Sequence, residues 1–219
     1  MKYDKNHALL ECSIPGVPQK SGKVRDVFDL GDKLLMVVTD RISAFDVILP
    51  SGVPDKGKVL NQLSLFWMEF LGMKNHLITA NVDEYPEVLQ PYKEDLRGRS
   101  MLVKKVKMVE VECIARGYLT GSGWKEYKSA GTVNGEKLRA GYENASKLDE
   151  VLFTPTTKAA IGDHDEAINY DQTVEIVGSE TAARLKEATI SLYTRAAEYA
   201  RERGIIIADT KFEFGMDDD

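Results

Sequence analysis

Alternating and helical spacings of apolar residues divide the chain into a strand-rich first half and a second half dominated by one long helix. Residues 24–30 and 33–39 read as the two strands of a hairpin, with Gly31-Asp32 as the turn between them. Further on, Val59, Leu60, Leu63, Phe66, Trp67, Phe70 and Leu71 recur at the spacing of one helical face. Residues 100–109 and 111–115 are β-rich, with alternation around Lys104-Lys105-Val106-Lys107. The longest helical signal runs from Tyr170 to the neighbourhood of Arg203. Its apolar side carries Val174, Val177, Ala182, Leu185, Ala188, Leu192, Ala196 and Tyr199, and a break is expected at Gly178-Ser179. Gly204 stops this helix, and Ile205-Ile206-Ile207-Ala208 reads as a buried strand. Strands followed by a long helix, without regular βαβ alternation, predict an α+β fold with a lobe boundary near residues 109–116.

Composition narrows the class. With 219 residues the chain can bury a core without disulfide staples, and 43% hydrophobic with 29% charged residues is an ordinary balance for a water-soluble domain. The net charge of −6 argues against a general nucleic-acid binder, which needs clustered Lys and Arg for phosphate contacts. No apolar run is long enough to span a membrane, and the first residues do not form a signal peptide, so a cytoplasmic location is expected. The two cysteines, Cys12 and Cys113, sit beside apolar residues and read as core thiols.

Four stretches carry candidate chemistry, the second of them followed by a further basic turn. In Lys20-Ser21-Gly22-Lys23-Val24-Arg25-Asp26, small residues beside cations precede a strand, a pattern that can cradle phosphate. It is not a Walker A loop, and a solvated basic turn explains it as well. In Thr39-Asp40-Arg41-Ile42-Ser43-Ala44-Phe45-Asp46, Arg41 and Ser43 stand at a strand exit, where they could hold an anion; the bland alternative is an Arg–Asp pair capping a turn. Asp55-Lys56-Gly57-Lys58 opens a helix whose N-terminus could hold an anion or simply be solvated.

In Val111-Glu112-Cys113-Ile114-Ala115-Arg116-Gly117-Tyr118-Leu119-Thr120-Gly121-Ser122-Gly123, an arginine at a strand end precedes a Gly-Ser-Gly turn and a short helix starting near Trp124. That arrangement suits a phosphate monoester or carboxylate, though a plain strand–turn–helix accounts for the glycines. The fourth stretch is Asp209-Thr210-Lys211-Phe212-Glu213-Phe214-Gly215. A period of two places Asp209, Lys211 and Glu213 on one strand face, either as a magnesium and substrate face or as an edge laced with ion pairs. Gly162-Asp163-His164-Asp165-Glu166 is a polar loop without zinc-ligand spacing.

In this order the stretches closely resemble the phosphoribosylaminoimidazole-succinocarboxamide synthase (SAICAR synthetase) family of purine biosynthesis, over nearly the whole chain. The resemblance implies a two-lobed α+β fold with a kinase-like or ATP-grasp-like nucleotide cleft. Residues 1–110 would form a β-rich nucleotide-binding lobe and 111–219 a substrate and metal lobe. It further implies a ligase that joins the carboxylated aminoimidazole ribonucleotide CAIR to L-aspartate with ATP and Mg2+, through an acyl phosphate. Under it Ser21, Gly22, Lys23 and Arg25 would cover the ATP phosphates, with Lys104, Lys105 and Met108 on the adenine side. Arg116, Ser122, Asp209 and Lys211 would face CAIR, Arg41 and Ser43 would line the substrate side, and Glu213 would bind the metal. His164 and Asp165 would approach the reacting carboxylate or aspartate. The family expectation is a homodimer.

The sequence departs from the family pattern at Glu110, where many members have Pro, so the hinge backbone is expected to differ there. It also ends at Asp219, whereas family members continue with a further acidic strand and an arginine-bearing segment, so a truncated and catalytically impaired product is expected. Two other readings fit the stretches less well. One is a nucleotide-binding module without turnover, and the other is a small-molecule kinase, against which residues 116–122 speak.

Overall fold

The computed structural model describes residues 1–44, 47–158 and 166–216. The chain divides into two compact units, Met1–Val106 and Lys107–Asp219.

The first unit is built on an antiparallel sheet of β1 (Gln19–Ser21), β2 (Arg25–Asp29), β3 (Lys33–Val38), β4 (Leu77–Thr79) and β5 (Ser100–Lys104), in the order β1-β2-β3-β5-β4. The predicted hairpin is β2–β3, and Gly31 at φ 96° makes its turn in a backbone region that other residues avoid. Phe28, Leu35, Val37 and Leu102 point from the sheet into a core shared with Leu9, Ile14, Leu89 and Leu96.

Helix α1 (Lys56–Leu71) forms where the spacing predicts it. Its apolar residues do not do what that spacing suggests. Val59, Leu60, Leu63, Phe66 and Phe70 are exposed, and the residues buried on this helix are Gly57, Asn61 and Leu71. Close approach sets this orientation. A Cβ on Gly57 would fall 2.2 Å from the Val38 carbonyl oxygen, so only glycine lets the helix start against β3. One turn on, Asn61 is fully buried and its Nδ2 donates to the Gly98 carbonyl at 3.2 Å.

The second unit centres on the long strand β6 (Lys107–Tyr118). Antiparallel to it run β9 (Asp209–Met216) on one edge, and β7 (Lys147–Phe153) and β8 (Thr156–Thr157) in succession on the other. Alternation along β6 sends Val111, Cys113 and Ala115 to one face, where Val111 and Cys113 pack with Leu185. That leucine lies on α4 (Ser179–Arg201), which follows α3 (Tyr170–Val177) after the predicted break at Gly178. With the helices covering that face, Glu112, Ile114 and Arg116 are left on the opposite one. Helix α2 (Gly121–Ala130) starts three residues earlier than expected, directly after Thr120.

Both cysteines are buried and free, and burial pushes the Cys12 thiol up to about 12 and the Cys113 thiol up to about 11, as core thiols require. One strand is corrected. Residues 205–208 form none, and Ile205 and Ile206 are exposed at 59% and 65%. Among the described residues the segment meets a strand only at Ala208, whose carbonyl lies at the end of β6. It is tied down instead through its carbonyls, with Tyr193 Oη donating to Ile207 at 2.7 Å and Gly117 N to Ala208 at 3.0 Å. Among the described residues no helix is long and apolar enough to cross a membrane.

Candidate functional site

In the first unit, residues 22–24 connect β1 to β2, which opens with Arg25. Ser21, Gly22, Lys23 and Arg25 are all exposed on this one turn, which a Gly22 N–H to Arg25 carbonyl bond of 2.7 Å closes. Ser21 accepts from Gln19 Nε2 at 3.0 Å. The structure therefore holds the four predicted phosphate-side residues, two small and two cationic, together on one exposed turn.

Arg41 does not line a substrate surface, and the expectation that it would is corrected. Its side chain is about nine-tenths buried and forks onto Asp26 at 2.9 and 3.2 Å. Its remaining donors go to the carbonyls of Lys23 at 3.0 Å, Gly22 at 2.9 Å, Arg25 at 3.3 Å and also Leu10. A guanidinium so committed has no donor left for a ligand. The anion at the α1 N-terminus is likewise supplied from within. Asp40 is fully buried and accepts from Gly57 N at 2.8 Å and Leu9 N at 2.8 Å, with Arg99 at 3.0 Å. Beside it the Lys56 ammonium is buried without a hydrogen-bond partner among the described residues, and burial lowers its pKa.

Ser43 is half-buried in a short antiparallel pair with Ile48. Lys104 closes β5, with its N–H on the His76 carbonyl at 2.8 Å. Lys105 is drawn to the β2–β3 turn, its ammonium 2.7 Å from Asp29. Met108 is exposed on β6 and pairs with Gly215. The pairing of β6 with β9 slips between Met108 and Glu112, so Glu110 lies in an irregular stretch of the strand.

In the second unit the polar face of β6 gathers charge. Arg116 stands at its end with Nη1 2.7 Å from Asp209, Nε 3.0 Å from Thr154 Oγ1 and Nη2 3.4 Å from Ser122 Oγ. Its side chain is only 11% exposed, so this charge acts through a medium less screening than water. On β9 the predicted alternation holds. Asp209, Lys211 and Glu213 face outward while Phe212 and Phe214 pack into the core. Each charge meets an opposite one: Asp209 meets Arg116, Lys211 meets Glu112 at 2.6 Å, and Glu213 meets Lys158 at 2.9 Å. Thr156 also donates to Glu112 at 3.3 Å. The face thus balances three cations against three carboxylates, a surface that can exchange its internal partners for a zwitterionic or anionic substrate.

Sequence reasoning overlooked Glu112, Thr154 and Lys158 as members of this face. A glutamate inside an otherwise apolar stretch, Val111-Glu112-Cys113-Ile114, was the available signal for the first. The two β7–β8 neighbours carried none, because only the fold brings them beside β6. His164, Asp165 and the rest of 159–165 lie outside the described residues, as do Phe45, Asp46 and 217–219. Among the described residues no three metal-ligating side chains converge.

The SAICAR synthetase family matches residues 19–219. The phosphoribosylaminoimidazole-succinocarboxamide synthase of Desulfatibacillum aliphaticivorans is 52% identical over 97% of this chain and 72% of its own length. That of Thermodesulfovibrio yellowstonii is 53% identical over 96% and 73%. Among solved structures, the Saccharomyces cerevisiae SAICAR synthase, determined as a complex with SAICAR, superimposes with a TM-score of 0.89 at 43% identity, covering 96% of this chain and 72% of that one. The two-unit α+β fold and these relatives define the class, an ATP-using ligase of purine biosynthesis. Within it, the chain belongs to the SAICAR synthetase family.

Proposed function

We propose that this chain joins CAIR to L-aspartate, giving SAICAR with ATP converted to ADP and phosphate. The observation that carries the reading is the convergence of Arg116, Ser122, Thr154, Asp209 and Lys211 on one face of β6 and β9. A guanidinium with hydroxyls beside it at a strand end suits the phosphate monoester of a ribonucleotide. The neighbouring Lys211 suits its imidazole carboxylate.

A carboxylate cannot be displaced by an amine directly, because oxide is the leaving group. In the proposed course a CAIR carboxylate oxygen attacks the γ-phosphorus and the bond to ADP breaks. The aspartate amine then attacks the acyl carbon, phosphate departs with the bonding pair, and the amine gives up a proton. Lys211, held by Glu112, would keep the CAIR carboxylate in place and offset its charge while the phosphorus approaches. In the first unit, Gly22, Lys23 and Arg25 would receive the ATP phosphates. The side chains of Lys104, Lys105 and Met108 belong to the adenine side in this reading.

The donor set fits magnesium in its sparse mode, one or two carboxylates with the rest of the shell from phosphate and water. Glu213 and Glu112 are register partners on adjacent strands. Glu213 would hold the ion, which would spread charge over the transferring phosphoryl group. A homodimer remains part of the proposal, and sedimentation velocity checks it.

The test is ADP release from the purified protein with ATP and magnesium, omitting CAIR and aspartate in turn. Release that needs both, with equimolar SAICAR, supports the reading. ATP binding without turnover favours a nucleotide-binding module instead.

A further inference from the structure

Arg41 and Thr39, just beyond the end of β3, control residues 22–25 from beneath. Every carbonyl of that segment accepts a hydrogen bond from inside the first unit. Arg41 Nη2 donates to Gly22 at 2.9 Å and Arg41 Nε to Lys23 at 3.0 Å. Thr39 donates to Val24 twice, from N at 3.1 Å and Oγ1 at 2.8 Å. Arg25 receives Arg41 Nη2 at 3.3 Å and Gly22 N at 2.7 Å. A turn that takes up an anion must present N–H groups and keep its carbonyl oxygens, which repel the anion, turned away. Four consecutive carbonyls held inward meet that second condition.

The guanidinium doing most of this is buried and neutralised by Asp26, which follows the turn in β2 and also accepts from Cys12 N at 3.2 Å. Its planar fork serves several acceptors at once, which a lysine ammonium on a single-point head does not. Thr39 is itself fully buried. Nothing about this network suggests a ligand for Arg41, yet it is far larger than capping a turn requires.

We propose that Arg41, with Thr39, is a positioning residue for nucleotide binding: it holds residues 22–25 in the carbonyl-inward form that receives phosphates. The inference rests on the reading of that turn as the ATP phosphate site.

The experiment compares the whole chain with Arg41→Lys, Thr39→Val and Lys23→Ala. It reads KM for ATP, KM for CAIR, kcat at saturation, and ATP affinity by calorimetry. Arg41→Lys is expected to raise the ATP KM and dissociation constant about tenfold, with CAIR KM and kcat within about twofold. Equal ATP affinity in Arg41→Lys and the parent protein overturns the proposal, as does an equal loss of ATP and CAIR affinity. If Arg41→Lys does not fold, Thr39→Val decides. It is nearly isosteric, removes one donor to Val24, and should raise the ATP KM about threefold with CAIR KM unchanged; an unchanged ATP KM overturns the proposal. Lys23→Ala tests the underlying reading separately. If it binds ATP as the parent does, the turn is not the phosphate site and both readings fall. If it alone loses ATP affinity, only the role of Arg41 falls.

Discussion

Lys211 reaches diagonally from β9 to Glu112 on β6, and the two meet at 2.6 Å with Glu112 only 6% exposed. The carboxylate is thus held under the sheet face while the ammonium stays at its surface, aimed by a buried partner. Glu112 costs free energy to bury and is retained because a cation and Thr156 satisfy it.

The first prediction concerns this pair. Lys211→Met leaves a buried carboxylate with one hydroxyl, and should destabilise the fold by about 1–3 kcal/mol. Adding Glu112→Gln should recover part of the loss, giving a coupling energy of at least about 0.5 kcal/mol in urea unfolding. Strict additivity would show that the pair is not coupled. Glu112→Gln alone should keep the fold and lower kcat about tenfold or more, because Lys211 loses its aim.

Arg116 carries the second. Arg116→Lys keeps the charge but cannot serve Thr154, Ser122 and Asp209 together. The KM for CAIR should rise about ten- to a hundredfold with the KM for ATP unchanged. Steady-state kinetics with each substrate varied in turn checks the split.

Sequence pattern made some of this visible and left the rest dark for physical reasons. The β2–β3 hairpin, the break at Gly178 and the outward trio Asp209, Lys211 and Glu213 are local features, set by a period or by one glycine, and local signals predict them. Whether the apolar stripe of α1 faces inward is not local. It is decided by Gly57 and Asn61 meeting Val38 and Gly98, residues far off in the chain. Arg41 misled for the same reason, since an arginine at a strand exit reads identically whether it faces a ligand or six backbone and carboxylate oxygens of its own unit. Thr154 and Lys158 became site neighbours only when β7 and β8 aligned beside β6.

The exposed stripe of α1 gives a third prediction. Val59 is 57% exposed and Leu63 48%, with Phe66 and Phe70 stacked beside them at 5.8 Å. Apolar patches of this kind promote association. Val59→Lys with Leu63→Lys should change unfolding stability by no more than about 0.5 kcal/mol per site while lowering light scattering at high protein concentration. A large loss of stability would mean that the stripe is packed in solution.

His76 gives a pH dependence. Burial first, and then the nearby Arg25 charge, hold its imidazole below the ordinary 6.5. The unfolded chain therefore takes up a proton from pH 6.5 downward before the folded one does. Stability should be level above about pH 6.5, fall as the pH drops below it, and level off once the depressed folded value is passed. Replacement by Gln should remove this component. The check is urea unfolding of both proteins between pH 7.5 and about 5, where parallel curves would contradict the assignment.

Gly117 and Tyr193 supply the last prediction, which links packing to the site. A Cβ on Gly117 would lie 2.0 Å from the Tyr193 hydroxyl oxygen and 2.8 Å from its Cζ. That hydroxyl donates to the Ile207 carbonyl at 2.7 Å, and the Gly117 N–H to Ala208 at 3.0 Å, so together they deliver the chain into Asp209. Gly117→Ala must push the ring aside and release Ile207, costing about 1–3 kcal/mol and moving Asp209 away from Arg116. Tyr193→Phe gives up the hydroxyl bond alone, and should cost about 1 kcal/mol. In the double variant the oxygen is gone but the ring carbon still stands 2.8 Å from the new methyl, so rescue should be partial. The KM for CAIR should follow the same order, highest in Gly117→Ala and intermediate in the double variant. A Gly117→Ala protein with normal CAIR kinetics would show that Asp209 is placed by β9 pairing alone.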